Sequence, residues 1–211
     1  MLSAISAPVA PARRTRGSSG VVLRLGQVRA NSGAGASPET RVIRPITDPV
    51  AIVTDASSQI GREVIRRLVS LGYAIVAVYL EDQSSTDALV EKLQATRSTA
   101  VTVRADLADD LDVERVFTEA IAAFASVDVL VHTSVRSASV LYRHAARHLG
   151  RGAAIVTVSA AEPITPALAR RLRARDITVN GVPPGREPPR GDHEVAELIA
   201  LLERWRRRPD S

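Results

Sequence analysis

Short runs of Val, Ile, Ala and Leu recur along the chain, and between them apolar residues stand three or four positions apart. The first run, Val50-Ala-Ile-Val-Thr54, predicts a buried strand. Ile60, Val64, Ile65, Leu68 and Leu71 then fall at helical spacing, and Gly72 predicts the stop. Ala74–Tyr79 predicts a second strand, residues 87–95 a helix, and Ala100–Arg104 a third strand. Val113, Val116, Phe117, Ala120, Ile121 and Phe124 share one face of the clearest amphipathic helix. Val127–Val131 predicts a fourth strand, residues 140–149 a helix, and Ala153–Val158 a fifth strand. Residues 168–175 predict a short helix and Ile177–Asn180 a sixth strand. Val195, Leu198, Ile199, Leu202 and Trp205 mark a last amphipathic helix.

Strand and helix alternate with short connections, which predicts an α/β fold: a parallel sheet covered by helices on both faces. In such a sheet the ligand crevice lies at the carboxyl ends of the strands, where strand order reverses. With aromatics at 3%, the core must be built from aliphatic residues. There is no Cys, which excludes disulfides, thiolate chemistry and Cys-based metal sites and fits a reducing cytoplasm, the compartment expected here.

Residues 1–48 are rich in Ala, Ser, Gly, Pro and Arg and predict a disordered extension, with one folded domain over 49–207. The extension also suits an organelle transit peptide; the reading preferred here is a start codon placed too far upstream. Seven Arg against Glu39 and Asp48 in residues 1–49 carry the whole net charge of +5. The remainder is balanced, so no basic face for nucleic acid is expected on the domain. No apolar stretch is long enough to span a membrane.

Thr54-Asp-Ala-Ser-Ser-Gln-Ile-Gly61 follows the first strand. Ala105-Asp-Leu107 follows the third, and Asp128-Val-Leu-Val-His-Thr-Ser134 ends the fourth. Ala154-Ile-Val-Thr-Val-Ser-Ala160 forms the fifth, and Leu168-Ala-Arg-Arg-Leu leads through Ile177-Thr-Val-Asn-Gly-Val-Pro-Pro-Gly185. In this order these segments resemble the short-chain dehydrogenase/reductases, closest in flavour to the 3-oxoacyl carrier-protein reductase type, over about residues 48–204. The resemblance implies a Rossmann-like doubly wound sheet of about six strands in the order 3-2-1-4-5-6. It implies NAD or NADP as cofactor, held by Thr54, Asp55, Ser57, Ser58, Ile60, Gly61, Asp106, Leu107, His132, Thr133, Ser134, Pro184 and Gly185. Members often pair through helices, so a homo-oligomer is a further implication.

The departures from the family weigh as much as the matches. The family transfers protons with a Tyr, a Lys four residues on, and a Ser before the Tyr. Four residues after Tyr73, Tyr79 and Tyr142 stand Ala77, Gln83 and Ala146, and the lone Lys92 lies after the second strand. The family's Ser falls on Ala160, with Ser159 one place early. No catalytic residue is therefore assigned. Residues 135–139 and 186–191 are short where the family carries longer segments, so the lid and the carboxyl-terminal sheet edge read as trimmed. Asp55 and Gln59 replace two glycines of the phosphate loop: a carboxylate would face a pyrophosphate, and a Cβ would obstruct its approach.

Several further positions carry alternatives. Asp106 is either an adenine contact or a cap for the next turn. His132 and Tyr142 are the only substitutes for the missing proton donor. His144 and His148 stand i, i+4 as some metal pairs do, but with no third ligand apparent they are read as a solvated helix face, and no metal site is assigned. Tyr79, Leu80, Glu81 and Asp82 occupy the ribose-reading segment, where acids would disfavour a 2′-phosphate and lean towards NAD.

Overall fold

A computed structural model describes residues 48–95, 98–133, 138–158, 164–182 and 192–207. Six strands, β1 (Val50–Val53), β2 (Ala74–Tyr79), β3 (Ala100–Arg104), β4 (Val129–His132), β5 (Ala154–Val158) and β6 (Thr178–Val182), alternate with six helices. These are α1 (Gln59–Ser70), α2 (Gln83–Ala95), α3 (Asp110–Phe124), α4 (Ser139–His148), α5 (Pro166–Arg173) and α6 (Asp192–Arg206). The strands form one sheet in the order β3-β2-β1-β4-β5-β6, and every pairing is parallel. This is the Rossmann-like order that the resemblance implied.

The central strands β1, β2, β4 and β5 are fully buried because helices cover both faces of the sheet, whereas the edge strands β3 and β6 are only partly buried. Alternate residues of each strand enter opposite cores. Val50, Ile52 and Leu130 pack with Phe117, Leu141 and Tyr142 beneath α3 and α4. Ala51, Val53 and Val131 pack with Val64, Leu68, Leu198 and Leu202 beneath α1 and α6. Each fully buried Val, Leu or Ile contributes about 1.5–3 kcal/mol of transfer free energy, so aliphatic burial can replace the missing aromatics.

Gly72 ends α1 at a φ of 84°, as its position in the pattern predicted. Helix α2 begins earlier than the apolar spacing indicated. Asp82 Oδ1 accepts from the Ser85 backbone N–H at 3.1 Å, and this cap lets the polar residues 83–86 join the helix. Helix α5 stops at Arg173 because Asp176 turns left-handed at a φ of 57°, and the Ile177 N–H returns to the Leu172 carbonyl.

At the carboxyl end of α4, the Arg175 guanidinium donates to the carbonyls of Ala146, Arg147 and Leu149 at 3.0, 2.6 and 2.6 Å. It thereby satisfies three acceptors that a helix terminus leaves open. On the other face, α6 is tied at its end: Trp205 Nε1 donates to the Gly152 carbonyl at 2.7 Å, and Arg206 donates to the Leu71 carbonyl at 2.7 Å. Arg206 also lies over the Tyr73 ring. Among the described residues, no helix is long and apolar enough to cross a membrane. Almost all of the expected extension, the expected lid, Ser159 and Ala160 lie outside the described residues.

Candidate functional site

Strand order reverses between β1 and β4, so the crevice of a doubly wound sheet opens at their carboxyl ends. Two residues tie these ends together. The Thr133 N–H donates to Thr54 Oγ1 at 3.2 Å, and Thr133 Oγ1 donates to the Thr54 carbonyl at 2.6 Å. Thr54 Oγ1 also shares a hydrogen bond with His132 Nδ1 at 3.0 Å. All three side chains are buried. They brace the floor of the crevice, and the Thr54 hydroxyl is already engaged there by His132 and Thr133.

Beyond β1 the chain turns through Asp55, which adopts a φ of 51°. The glycine-type backbone of the family loop is thus kept by a residue whose short polar side chain tolerates it. The Ala56 N–H reaches across to the Val78 carbonyl at 2.9 Å, and the Ser58 N–H closes the turn on the Asp55 carbonyl at 3.0 Å. Ser58 Oγ caps α1 by accepting from the Gly61 N–H at 2.9 Å. The Arg62 guanidinium donates to the Ser57 carbonyl. Gly61 is required by space: a Cβ there would lie 2.3 Å from the Asp55 carbonyl oxygen. Helix α1 therefore sits directly against the loop, as the surviving glycine implied.

A pyrophosphate at this helix terminus would need close backbone approach and free N–H donors. Gln59, exposed, is the first residue of α1, and its Cβ stands where the family has none. The Gly61 N–H is already given to Ser58 Oγ, and Asp55 brings a carboxylate to the turn. Two positions that the resemblance gave to glycine thus carry side chains, and these residues do not fit a pyrophosphate.

After β3, Asp106 Oδ1 accepts from the Ala108 N–H at 3.0 Å, and the Asp106 N–H donates to Asp112 Oδ2 at 2.8 Å. Asp106 therefore closes a local turn. The cap of α3 is Asp109, whose Oδ1 accepts from the N–H groups of Leu111 and Asp112. Leu107 is buried in the core under α3 and α4. Ile60 is half-buried at the start of α1. Ser134, Pro184 and Gly185 lie outside the described residues.

Neither substitute proton donor is presented to solvent. Tyr142 is 2% exposed, inside the α3–α4 core, and His132 is 1% exposed at the base of the crevice. Tyr79 closes β2 and is also buried; burial pushes its phenol above the ordinary range, with Asp87 adding to the effect. In the ribose-reading segment, the Leu80 carbonyl accepts from Arg104 Nε at 3.2 Å.

The expected solvated face at His144 and His148 needs correction. His144 is 1% exposed, because α3 packs against that side of α4. Glu114 of α3 reaches both rings, at 2.6 Å from His144 Nδ1 and 2.9 Å from His148 Nε2. A third potential ligand is present after all, brought from a segment 30 residues away by helix packing. The i, i+4 spacing was the visible signal; the partner on α3 depended on the fold.

Residues 49–148 match the short chain dehydrogenase family model. An uncharacterised oxidoreductase of Methylorubrum extorquens is 27% identical, over 68% of this chain and 75% of its own length. A 3-oxoacyl-[acyl-carrier-protein] reductase of Staphylococcus aureus is 32% identical, over 40% of this chain and 34% of its own. Among solved structures, a blue fluorescent protein from a metagenomic library, in complex with NADPH, superposes with a TM-score of 0.59 at 26% identity. That alignment covers 75% of this chain and 84% of the other. In strand order, in the matched segment and in these relatives, the chain is similar to the short-chain dehydrogenase/reductases.

Proposed function

We propose that this protein is a catalytically degenerate short-chain dehydrogenase/reductase homologue, a cytoplasmic pseudoenzyme whose binding of nicotinamide nucleotide is weak or absent. The family and its NADPH-bound relative name NAD or NADP as the cofactor class. The observation that carries the reading is the loop after β1. Asp55 and Gln59 stand at its glycine positions, and the Gly61 N–H is spent on the Ser58 cap. The sequence has no Tyr followed by Lys four residues on, which agrees with this reading. Burial of His132 and Tyr142 removes the two substitutes from contact with solvent.

The alternative is an active NAD(P)-dependent oxidoreductase with a non-standard proton donor, and the oxidoreductase name of the Methylorubrum relative favours it. Titration of the full chain with NADH and NADPH, followed by nicotinamide fluorescence and calorimetry, separates the two. We expect no saturable binding below millimolar nucleotide. The double variant D55G/Q59G, which restores both loop glycines, should gain affinity by at least about tenfold, equivalent to about 1.4 kcal/mol. Micromolar binding by the unaltered chain would overturn the proposal and support the oxidoreductase.

A further inference from the structure

We propose that Glu114, His144 and His148 form a divalent transition-metal site, with Zn2+ as the ion it takes. Two imidazoles and one carboxylate match zinc and neighbouring borderline metals rather than Mg2+ or Ca2+, which favour all-oxygen sites. Glu114 Oε2, His144 Nδ1 and His148 Nε2 all lie within 4.8 Å of one another. Helix α4 sets the two rings in parallel, 3° apart in plane with centroids 6.2 Å apart. Phe117, one turn beyond Glu114 on α3, stacks on His148 at 5.5 Å and fixes that ring.

A second observation concerns the far side of His144. This side chain is 2% exposed, and its Nε2 lies 3.1 Å from Asp110 Oδ1. The same oxygen accepts from Arg143 at 2.9 Å. Each ring nitrogen of His144 therefore faces a carboxylate oxygen, Nε2 that of Asp110 and Nδ1 that of Glu114. A carboxylate holding the outer nitrogen of a ligating histidine is the usual outer shell of a protein metal site. In the ion-free cluster a hydrogen bridges Nδ1 and Glu114, and a bound cation takes its place, releasing that proton. Glu114 Oε2 now stands at hydrogen-bonding separations from both rings. Zinc bonds of about 2.0–2.1 Å in a tetrahedron place ligand atoms about 3.3 Å apart, so the carboxylate must move away from the two nitrogens by roughly 0.4–0.8 Å. Glu114 and His148 are partly exposed, which leaves an entry path and room for water as a fourth ligand. The site shares no residue with the crevice between β1 and β4.

The test is zinc titration of the untagged full chain at neutral pH, by calorimetry and by competition with a chromophoric chelator. We expect one Zn2+ per chain and a melting temperature that rises with zinc, since the ion ties α3 to α4. His148→Ala and Glu114→Gln should each weaken binding by at least about tenfold, and Asp110→Asn by about 10–100-fold through the outer shell. His148 is partly exposed and Glu114→Gln keeps its shape, so both variants should retain the far-UV dichroism of the parent. His193→Ala, on α6, should bind as the parent does. Absence of saturable binding, or zinc affinity unchanged in both His148→Ala and Glu114→Gln, would overturn the site.

Discussion

At position 61 an added methyl group would meet backbone rather than a movable side chain: 2.3 Å from the Asp55 carbonyl oxygen and 3.0 Å from its carbon. Either α1 or the turn after β1 must then shift. Gly61→Ala should therefore lower stability by about 1–3 kcal/mol, read as a reduced urea midpoint at unchanged slope. A second consequence at this scale concerns Glu119 on α3. Burial pushes its carboxyl above the ordinary glutamate value of 4.5, partly offset by the Arg115 guanidinium. The folded state thus holds the proton more tightly than the unfolded chain. The associated stability is fully present below about 4.5 and is lost as pH rises through the folded value. Glu119→Gln should abolish this loss. Urea midpoints of parent and variant, compared at acid and neutral pH, should show the parent declining relative to the variant as pH rises.

Among the elements, the strands were legible because parallel strands buried on both faces read as unbroken aliphatic runs. Val50–Val53 and Ala74–Tyr79 stood out for that reason. Helix starts were less legible wherever a cap, not an apolar residue, begins the helix. Asp82 starts α2 over a polar turn that carries no periodic signal. In sequence Asp106 stood as an adenine contact or a cap for the next turn; the geometry has it close that turn and gives the cap of α3 to Asp109. The loop after β1 could be located from its place behind the first strand, whereas the positive φ of Asp55 had to come from the structure. The cluster of Glu114, His144 and His148 could not be located in this way, because the ridges of α3 and α4 must first come together. The same holds for Arg175, which closes α4 from beyond α5.

Over the whole molecule, α6 joins the two halves of the sheet. It packs on β5, β6 and α1, and its last turn is bonded to Gly152 on one side and Leu71 on the other. The chain's single Trp is Trp205, at this clasp, so its fluorescence reports the docking of α6. Val195, Leu198 and Leu202 are buried against the sheet, which makes undocking costly. The urea transition seen by Trp fluorescence should therefore coincide with that seen by far-UV dichroism. A fluorescence change at clearly lower urea would mean that α6 leaves before the rest unfolds.

The central position of β1 also has a consequence during synthesis. Its partner β4 arrives late: the bond between Thr54 and His132 spans 78 residues. At roughly 5–20 residues per second, the ribosome needs about 4–16 s to deliver that partner. Throughout this interval one edge of an entirely aliphatic strand has nothing to pair with, and half of each core lacks its cover. The nascent chain is then most exposed to misassociation with its neighbours, and that is the interval in which a holding chaperone would matter most.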